Sequence, residues 1–285
     1  MPGEPGANGM IVTPLFLALM AAMGVLAGTM GSMLGLGGGV FLVPFLVLVA
    51  GMPIKAAVGI SLITVIATSS TVSAHSAGRQ LINLRFGMVL EVATAAGGLA
   101  GGLTAHYLSE KTLELLFAGM AVLVATVMFA RLDRRNVIVD PAADPGMLGG
   151  RFYDADTRQA VTYRVKRLPL ALSASFVAGN ISTLLGVGGG IIKVPVLNAW
   201  CGMPMRAAAA TSAFMIGVTA TAGAVIYYGQ GHVEPTLAAA AVLGVLAGSR
   251  AGLRLAMRLK ARWLKVIMSS ILIAVAVLML VRVAR

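Results

Sequence analysis

The sequence predicts an all-α integral membrane protein made of two inverted repeats of five helical segments each. Three observations lead to this fold class. The chain of 285 residues is 58% hydrophobic and only 11% charged, whereas soluble domains carry about a quarter charged residues. Its mean hydropathy is +0.91, and its apolar runs are continuous, which is typical of membrane helices and not of alternating strands. A glycine-rich sequence also occurs twice, starting at Gly35 and at Gly186, an offset of 151.

Ten apolar segments and one long polar stretch divide the chain. Residues 1–10 are predicted to be a disordered tail, 11–130 the first transmembrane repeat, 131–167 a cytoplasmic loop and 168–285 the second repeat. The first half of the loop is rich in Pro, Gly and Asp, which favour irregular structure. The loop continues with "RFYDADTRQAVTYRV", whose β-prone ends predict a small hairpin, unless the loop is a solvated linker. The ten segments are 11–34, 38–50, 55–77, 86–108, 112–130, 168–185, 189–201, 206–228, 236–257 and 263–281.

An internal duplication explains the two glycine-rich sequences. Aligning residues 35–61 with 186–212 makes 13 of 27 positions identical, and the same offset pairs further glycines such as Gly97 with Gly248. General hydrophobicity does not place glycines and prolines in register over this distance. Each half is therefore one repeat of five segments.

The distribution of basic residues predicts that the repeats are inverted. If each glycine-broken pair enters and leaves on one side and the 131–167 loop is cytoplasmic, 17 of the 22 basic residues lie inside and 4 outside. Lys193 is then left within the membrane. If each pair is instead a single kinked span, the split is 12 to 9. The positive-inside rule favours the first arrangement, which places both termini outside.

The glycine runs predict a ligand site near the middle of the membrane. The segments that follow them, 38–50 and 189–201, would be about 20 Å long as helices, which is too short for a bilayer core of about 30 Å. We therefore expect re-entrant hairpins whose turns are buried in protein and meet near the midplane. The helix N-termini at these turns would attract a small anion, unless the glycines serve close packing. The predicted turn residues are Gly37, Gly38, Gly39, Gly188, Gly189 and Gly190.

Lys193 breaks the symmetry of the repeats, because Leu42 occupies the matching position. A lysine at this depth is costly, so it marks a binding path or an ion pair, unless its side chain snorkels to the interface. Arg250 is expected to line a cytoplasmic vestibule. Glu91 is expected to neutralise Arg250 or Arg254, or to carry a coupling proton.

Other residues near the turns are candidates for supporting roles. Pro44 and Pro195 are expected to shape their helices without touching substrate. Several polar side chains could donate hydrogen bonds to an oxyanion or could instead bond a helix carbonyl. These are Ser32, Asn180, Thr183, Ser61, Thr211 and Ser212.

Composition and motifs exclude several function classes. The one cysteine, Cys201, excludes an intramolecular disulfide, and the sequence has no metal-ligand spacing and no Walker motif. We therefore expect no cofactor and no enzymatic activity. The net charge is +12, and the basic residues lie between apolar segments, which indicates membrane topology and not nucleic-acid binding. The expected partners are the lipid bilayer, a small anion and a coupling proton or sodium ion, with the oligomeric state open. A secondary transporter fits these features, and an anion channel is the alternative.

The doubled GxGGGxxxxP motif followed by GMP resembles the sulfite exporter TauE/SafE family, also called the TSUP permeases, over essentially the whole chain. The central "FYDADTRQAVTYRVKRLP" is similar to a soluble insertion in one branch of that family. The resemblance implies an exporter of sulfite, sulfonates and related sulfur-containing anions in the bacterial cytoplasmic (inner) membrane. The residues themselves indicate only a small anion.

Overall fold

The computed structural model describes residues 13–35, 37–130, 144–154, 159–256 and 261–284. The predicted N-terminal tail and the first half of the central loop lie outside these residues. The described part of the chain forms helices and one short hairpin. In chain order the elements are α1 (Pro14–Leu34), α2 (Gly39–Leu48), α3 (Ile54–Ala77), α4 (Leu84–Tyr107), α5 (Glu110–Ala130), β1 (Gly150–Asp154), β2 (Gln159–Tyr163), α6 (Leu168–Leu185), α7 (Gly190–Ala199), α8 (Met205–Gly229), α9 (Pro235–Ala256) and α10 (Ala261–Ala284).

Six of these helices are long and apolar enough to cross a membrane. They are α1, α3, α4, α6, α8 and α9, with hydropathy between 1.4 and 1.8 over their most apolar windows. Many of their outward side chains are large and apolar, as lipid contact requires. The predicted class, an all-α membrane protein, is confirmed.

The helix boundaries repeat at the offset of 151. The starts of α2, α3, α4 and α5 correspond to those of α7, α8, α9 and α10, and the ends of α1 and α2 to those of α6 and α7. The cause is local backbone chemistry. Gly35 and Gly186 end α1 and α6 in the left-handed conformation, with φ of 67° and 66°, which glycine adopts without strain. Pro53 and Pro204 precede α3 and α8.

Matching helices of the two repeats run antiparallel, so the repeats are inverted. Along the α3–α8 contact, Gly59 lies beside Tyr227 and Ser69 lies beside Gly217, so the residue numbers rise in one helix as they fall in the other. The helices α5 and α10 behave alike, because Glu114 near the start of α5 lies 3.8 Å from Arg282 near the end of α10. This geometry agrees with the arrangement that the basic residues favour.

The helix directions define two faces of the molecule. The terminal face carries the start of α1, the end of α10, and the ends of α4 and α8. The hairpin face carries β1, β2, and the starts of α4, α6 and α8. The α1–α2 pair enters from the terminal face and returns to it, while the α6–α7 pair does the same from the hairpin face. Both pairs are re-entrant hairpins.

The returning helices are shorter than the sequence predicts. α2 and α7 have ten residues each, or about 15 Å, against the thirteen expected. Pro44 and Pro195 lie inside them, at the sixth residue of each. A proline there removes one helical hydrogen bond. At about 15 Å, each helix is about half as long as the bilayer core of about 30 Å is thick.

The central loop contains an antiparallel hairpin, in which Gly150 pairs with Tyr163 and Asp154 with Gln159. Phe152, Val161 and Tyr163 are buried against the starts of α4 and α8 and against α7. The Asn83 amide donates to the Tyr163 hydroxyl at 3.2 Å, and burial raises the pKa of Tyr163. This part of the loop is thus packed against the hairpin face and is not a solvated linker.

Candidate functional site

The two glycine turns meet in the interior. Gly39 at the start of α2 touches the Gly186 carbonyl so closely that a side chain would overlap it. At the start of α7, a Cβ on Gly190 would lie 2.7 Å from the Gly35 carbonyl. Gly37 lies against Val65 and Ile216, which are close to the middles of α3 and α8. The contact between the turns therefore lies near the centre of the bundle.

Glycine serves both backbone conformation and close packing at these turns. Gly37, Gly38 and Gly188 have φ of 87°, 71° and 76°, which side chains on Cβ disfavour. Gly189 has an ordinary φ of −71°, but a Cβ there would lie 2.8 Å from the Ala178 carbonyl. The packing role that the sequence left open is thus present at the same residues as the turn.

Lys193 lies on the first turn of α7 and is only 2% exposed. Its Nζ is buried and has no hydrogen-bond partner among the described residues. The side chain therefore does not snorkel to the interface. A buried ammonium without a partner costs several kcal/mol, so an occupant of opposite charge would stabilise it.

Glu91 on α4 and Lys193 on α7 approach α8 from different sides. Glu91 bonds to Thr219 of α8, and Gly190, one turn before Lys193, lies against Ser212 and Ile216 of α8.

The Oε1 of Glu91 accepts a hydrogen bond from the Thr219 hydroxyl at 2.9 Å, while its Oε2 has no partner in the described part of the chain. The predicted pairing of Glu91 with Arg250 or Arg254 is wrong. Glu91 faces α8, whereas both arginines lie on the face of α9 that packs against α3.

Three further hydroxyls around the second glycine turn are buried and have no hydrogen-bond partner among the described residues. Ser212 on α8 lies next to Gly190, and Thr183 on α6 lies with Thr219 on either side of Gly98. Ser182 precedes Thr183 on α6. Ser212 and Thr219 are seven residues apart and so share one face of α8. The second-turn cluster is here defined as Lys193, Glu91, Thr183, Ser212 and Thr219.

The other predicted hydroxyls are committed to the protein. Ser61 donates to the Gly186 carbonyl at 2.8 Å, and Ser32 donates to the Thr29 carbonyl at 3.0 Å. The Thr211 hydroxyl accepts from the backbone N–H of Asn83 at 3.0 Å. Asn180 is half-buried, and its backbone packs against Gly101. The geometry brings Thr183 and Ser212 to the second-turn cluster but gives Ser61, Ser32 and Thr211 structural bonds.

The symmetry-equivalent positions beside the first glycine turn lack both charges of this cluster. At the offset of 151, Leu42 matches Lys193, and Val242 matches Glu91. Thr68 matches Thr219 and donates only to the Thr64 carbonyl of its own helix, at 3.0 Å. Glu91 comes from the first repeat and Lys193 from the second, and both charges are absent from the equivalent positions, which indicates that they act together.

Two cavities lie near the first glycine turn. A cavity of about 640 Å³ between the hairpin-face halves of α3 and α9 is lined by Ser70, Thr71, Ala74, His75, Arg250, Leu253 and Arg254. It is called the vestibule below, and Arg250 is among its lining residues. A second cavity of about 10 Å³ is lined by Gly31, Gly35, Gly37, Thr68, Ser69, Val72, Ala213 and Ile216. It is at the lower limit for one water molecule, and it reaches the contact between the turns.

Sequence reasoning missed Thr219, Ser182 and the vestibule residue His75. Thr219 gives no signal of its own, because a threonine occupies this position in both halves, although the residue that it contacts, Glu91, has no counterpart. Ser182 replaces Gly31 and gives no signal either. His75 lies at the end of its segment, where an interfacial histidine is ordinary.

Comparison with known proteins agrees with this architecture. The family model "Sulfite exporter TauE/SafE" matches residues 19–279. The chain is 24% identical over 264 residues to "Probable membrane transporter protein YunE" of Bacillus subtilis, covering 90% of this chain and 94% of the relative. It is 25% identical over 281 residues to "Probable membrane transporter protein MJ0441" of Methanocaldococcus jannaschii, covering 93% and 96%. No solved structure matches the chain. The chain belongs to the sulfite exporter TauE/SafE family of multi-pass membrane transporters, which are permeases and not enzymes.

Proposed function

We propose that this transporter is a secondary exporter of small sulfur-containing anions such as sulfite or organosulfonates, and that the anion is held at Lys193. The observation that carries this proposal is the buried Lys193 ammonium with no partner in the described part of the chain. An oxyanion at this position would neutralise a charge whose burial is otherwise unfavourable. The sulfur-containing class is supported by the family to which the chain belongs.

The chemistry of the second-turn cluster fits an oxyanion with several acceptor oxygens. The Lys193 ammonium offers three donors, and the unpartnered Thr183 and Ser212 hydroxyls can donate one each. The N-terminus of α7 begins at Gly190, beside Ser212, and adds the positive potential of its helix dipole. A sulfite or sulfonate group could therefore accept hydrogen bonds from two or three helices at once.

The vestibule supplies an approach from the hairpin face. Arg250 and Arg254 give it positive charge, which raises the local concentration of anions. The small cavity lies beside the neighbouring residues of α3, Thr68 and Ser69, and against the first glycine turn. We assign Arg250 a gating role on this path, since an anion would pass it before it reached Lys193. Movement of the re-entrant hairpins past each other would then expose the site to the terminal face.

We further propose that the hairpin face is cytoplasmic in the bacterial inner membrane, from the excess of basic residues on that side. Impermeant maleimide should label a cysteine placed at Ser109 from outside, and one placed at Met147 only after the cytoplasm is opened. Cys201 gives a silent background, because it is fully buried and burial raises the pKa of its thiol. The reverse labelling pattern would mean that the hairpin face, and with it the vestibule, lies on the outside of the membrane.

A panel of anions tests the proposed substrate class. Purified protein should bind sulfite, thiosulfate, sulfoacetate or a simple sulfonate, and it should not bind a neutral solute of similar size. Transport in liposomes then separates a carrier from a channel, because a carrier couples each anion to a fixed number of ions. Binding of none of the sulfur-containing anions would remove the proposal, and flux without coupling would favour an anion channel.

A further inference from the structure

We propose that Glu91 is the proton-carrying group of this transporter: it is the counter-ion of Lys193 when the site is empty, and each monoanion that takes its place at Lys193 leaves Glu91 protonated. This inference rests on the proposed anion site. It assigns the proton-carrying role to Glu91, the neighbouring carboxylate, and it predicts that anion movement is coupled to proton movement.

The first step of the argument is the number of bonds that Glu91 makes. The carboxylate is 8% exposed, yet only Oε1 has a partner, the Thr219 hydroxyl at 2.9 Å. Within the described residues, Oε2 has none and neither has Lys193 Nζ. The two groups carry opposite charges and are not joined by a direct hydrogen bond. Such an open pair can exchange its partners, whereas a closed one resists change.

The second step is that the Thr219 hydroxyl keeps a hydrogen-bond acceptor whether Glu91 is ionised or neutral. The Thr219 hydroxyl lies 2.9 Å from Glu91 Oε1 and 3.0 Å from the Met215 carbonyl of its own helix. One hydroxyl proton serves one acceptor at a time. When Glu91 becomes neutral, Thr219 can return its proton to Met215, as Thr68 does with Thr64 in the first repeat. The protonation of Glu91 therefore leaves no buried donor orphaned on α8.

The third step is the charge balance of the buried cluster. With the site empty, Lys193 and Glu91 sum to zero. A bound monoanion would bring the sum to minus one, which is costly in a low-dielectric interior. Uptake of one proton from the adjoining solution by the Glu91 carboxylate restores zero. Two like charges that compete for one cation favour protonation of one of them.

No other charged group among the described residues is placed to take over this role. The helix α6 has no titratable side chain, and Lys193 is the only one on α7. On α8, Arg206 is exposed at the hairpin face, while Tyr227 and Tyr228 lie at the other end. Further titratable groups lie at the ends of α4 or beyond them: Arg85, Tyr163, His106 and Tyr107.

The absence of both charges from the symmetry-equivalent positions, Leu42 and Val242, supports a shared role. If Lys193 served the anion alone, Glu91 would only compete with the substrate, and a neutral residue such as the matching Val242 would be better. A carboxylate that competes with the anion for Lys193 is useful if this competition couples anion binding to proton binding. At the equivalent positions, Thr68 keeps only the bond to the Thr64 carbonyl of its own helix.

Calorimetry on the detergent-purified protein tests the inference. The probe is methanesulfonate, which is fully ionised over the working range of pH, so any proton taken up belongs to the protein. Titrations at one pH in buffers of different ionisation enthalpy give the number of protons bound per anion. At a pH where Glu91 is ionised before binding, wild-type protein should take up close to one proton per anion. In that range its affinity for the anion should fall about tenfold for each unit by which the pH rises.

Two variants separate the possible outcomes. Glu91→Gln should bind the probe without proton uptake and with an affinity that does not follow pH over the same range. Glu114→Gln is the matched control, because Glu114 is also 8% exposed but lies beside Arg282 at the terminal face; it should behave like wild type. Wild-type binding without proton uptake, or an unchanged pH slope in Glu91→Gln, would overturn the inference and leave the anion site standing. If neither wild type nor Glu91→Gln binds any anion of the panel, the proposed function fails and this inference fails with it.

Discussion

Ser61 and Ser212 occupy matching positions of the two repeats, and the molecule uses them differently. The Ser61 hydroxyl donates to the Gly186 carbonyl. The Ser212 hydroxyl is equally buried and has no partner among the described residues. The equivalent bond from Ser212 to Gly35 is thus not made, although Gly190 lies close to both groups. A buried hydroxyl without a partner is unfavourable, which suggests that Ser212 is kept for a ligand.

Replacement of each serine by alanine should therefore change a different property: the stability in Ser61→Ala and the anion affinity in Ser212→Ala. Ser61→Ala leaves the Gly186 carbonyl without its donor and should lower the free energy of unfolding by about 0.5–1.5 kcal/mol, with little change in anion affinity. Ser212→Ala removes no bond within the described protein and should leave the melting temperature near wild type. It should weaken anion binding by about two- to tenfold. Thermal unfolding and titration of the same two preparations measure both effects. Equal behaviour of the two variants would show that Ser212 contributes nothing to an anion.

At the scale of elements, the glycine turns decide how closely the repeats approach. Gly39 touches the Gly186 carbonyl and Gly190 touches the Gly35 carbonyl. A methyl group at Gly39 has no space unless α2 moves away from the end of α6. The replacement of Gly38 by a bulky residue would in addition strain a backbone with φ of 71°. Substitutions at these turns therefore act on folding before they act on binding.

Gly39→Ala should greatly reduce the yield of monodisperse protein, or lower its melting temperature by several degrees. Gly119→Ala on α5 is the control, because a Cβ there has no atom within 4 Å. It should be tolerated and should stabilise the helix by about 0.5–1 kcal/mol. Size-exclusion profiles and thermal unfolding in detergent measure the difference. A Gly39→Ala protein as stable as wild type would mean that the turns do not pack against each other.

The sequence predicts these elements well, because their boundaries depend on local chemistry. Gly35 and Gly186 end helices, and Pro53 and Pro204 precede others, so ten segments could be marked within a few residues. The partners of Glu91 could not be predicted. Depth along its helix suggested Arg250, but which face of α4 meets α8 depends on packing between helices that are far apart in the chain. Lys193 stood out because the repeat supplies an internal comparison, and Thr219 did not, because both repeats have threonine there.

At the scale of the whole molecule, inversion places the two glycine turns and one charged pair near the centre of the bundle. The two turns reach the middle of the bundle from opposite faces, and both lie beside the antiparallel helices α3 and α8. The vestibule opens on the hairpin face, and Lys193 lies deeper, on a helix that starts at the contact between the turns. The central claim is that this lysine holds the transported anion.

The affinity of one anion from the panel for wild type and Lys193→Met, measured at a single salt concentration, tests this claim most directly. The methionine should weaken binding by on the order of 1–3 kcal/mol, the contribution of a charge-assisted hydrogen bond. Lys193→Arg should retain part of the affinity, since the charge remains but its shape differs. Lys111→Met removes an exposed charge at the terminal face and should bind as wild type does. If Lys193→Met binds the anion with unchanged affinity, Lys193 does not hold the anion and the proposed site is contradicted.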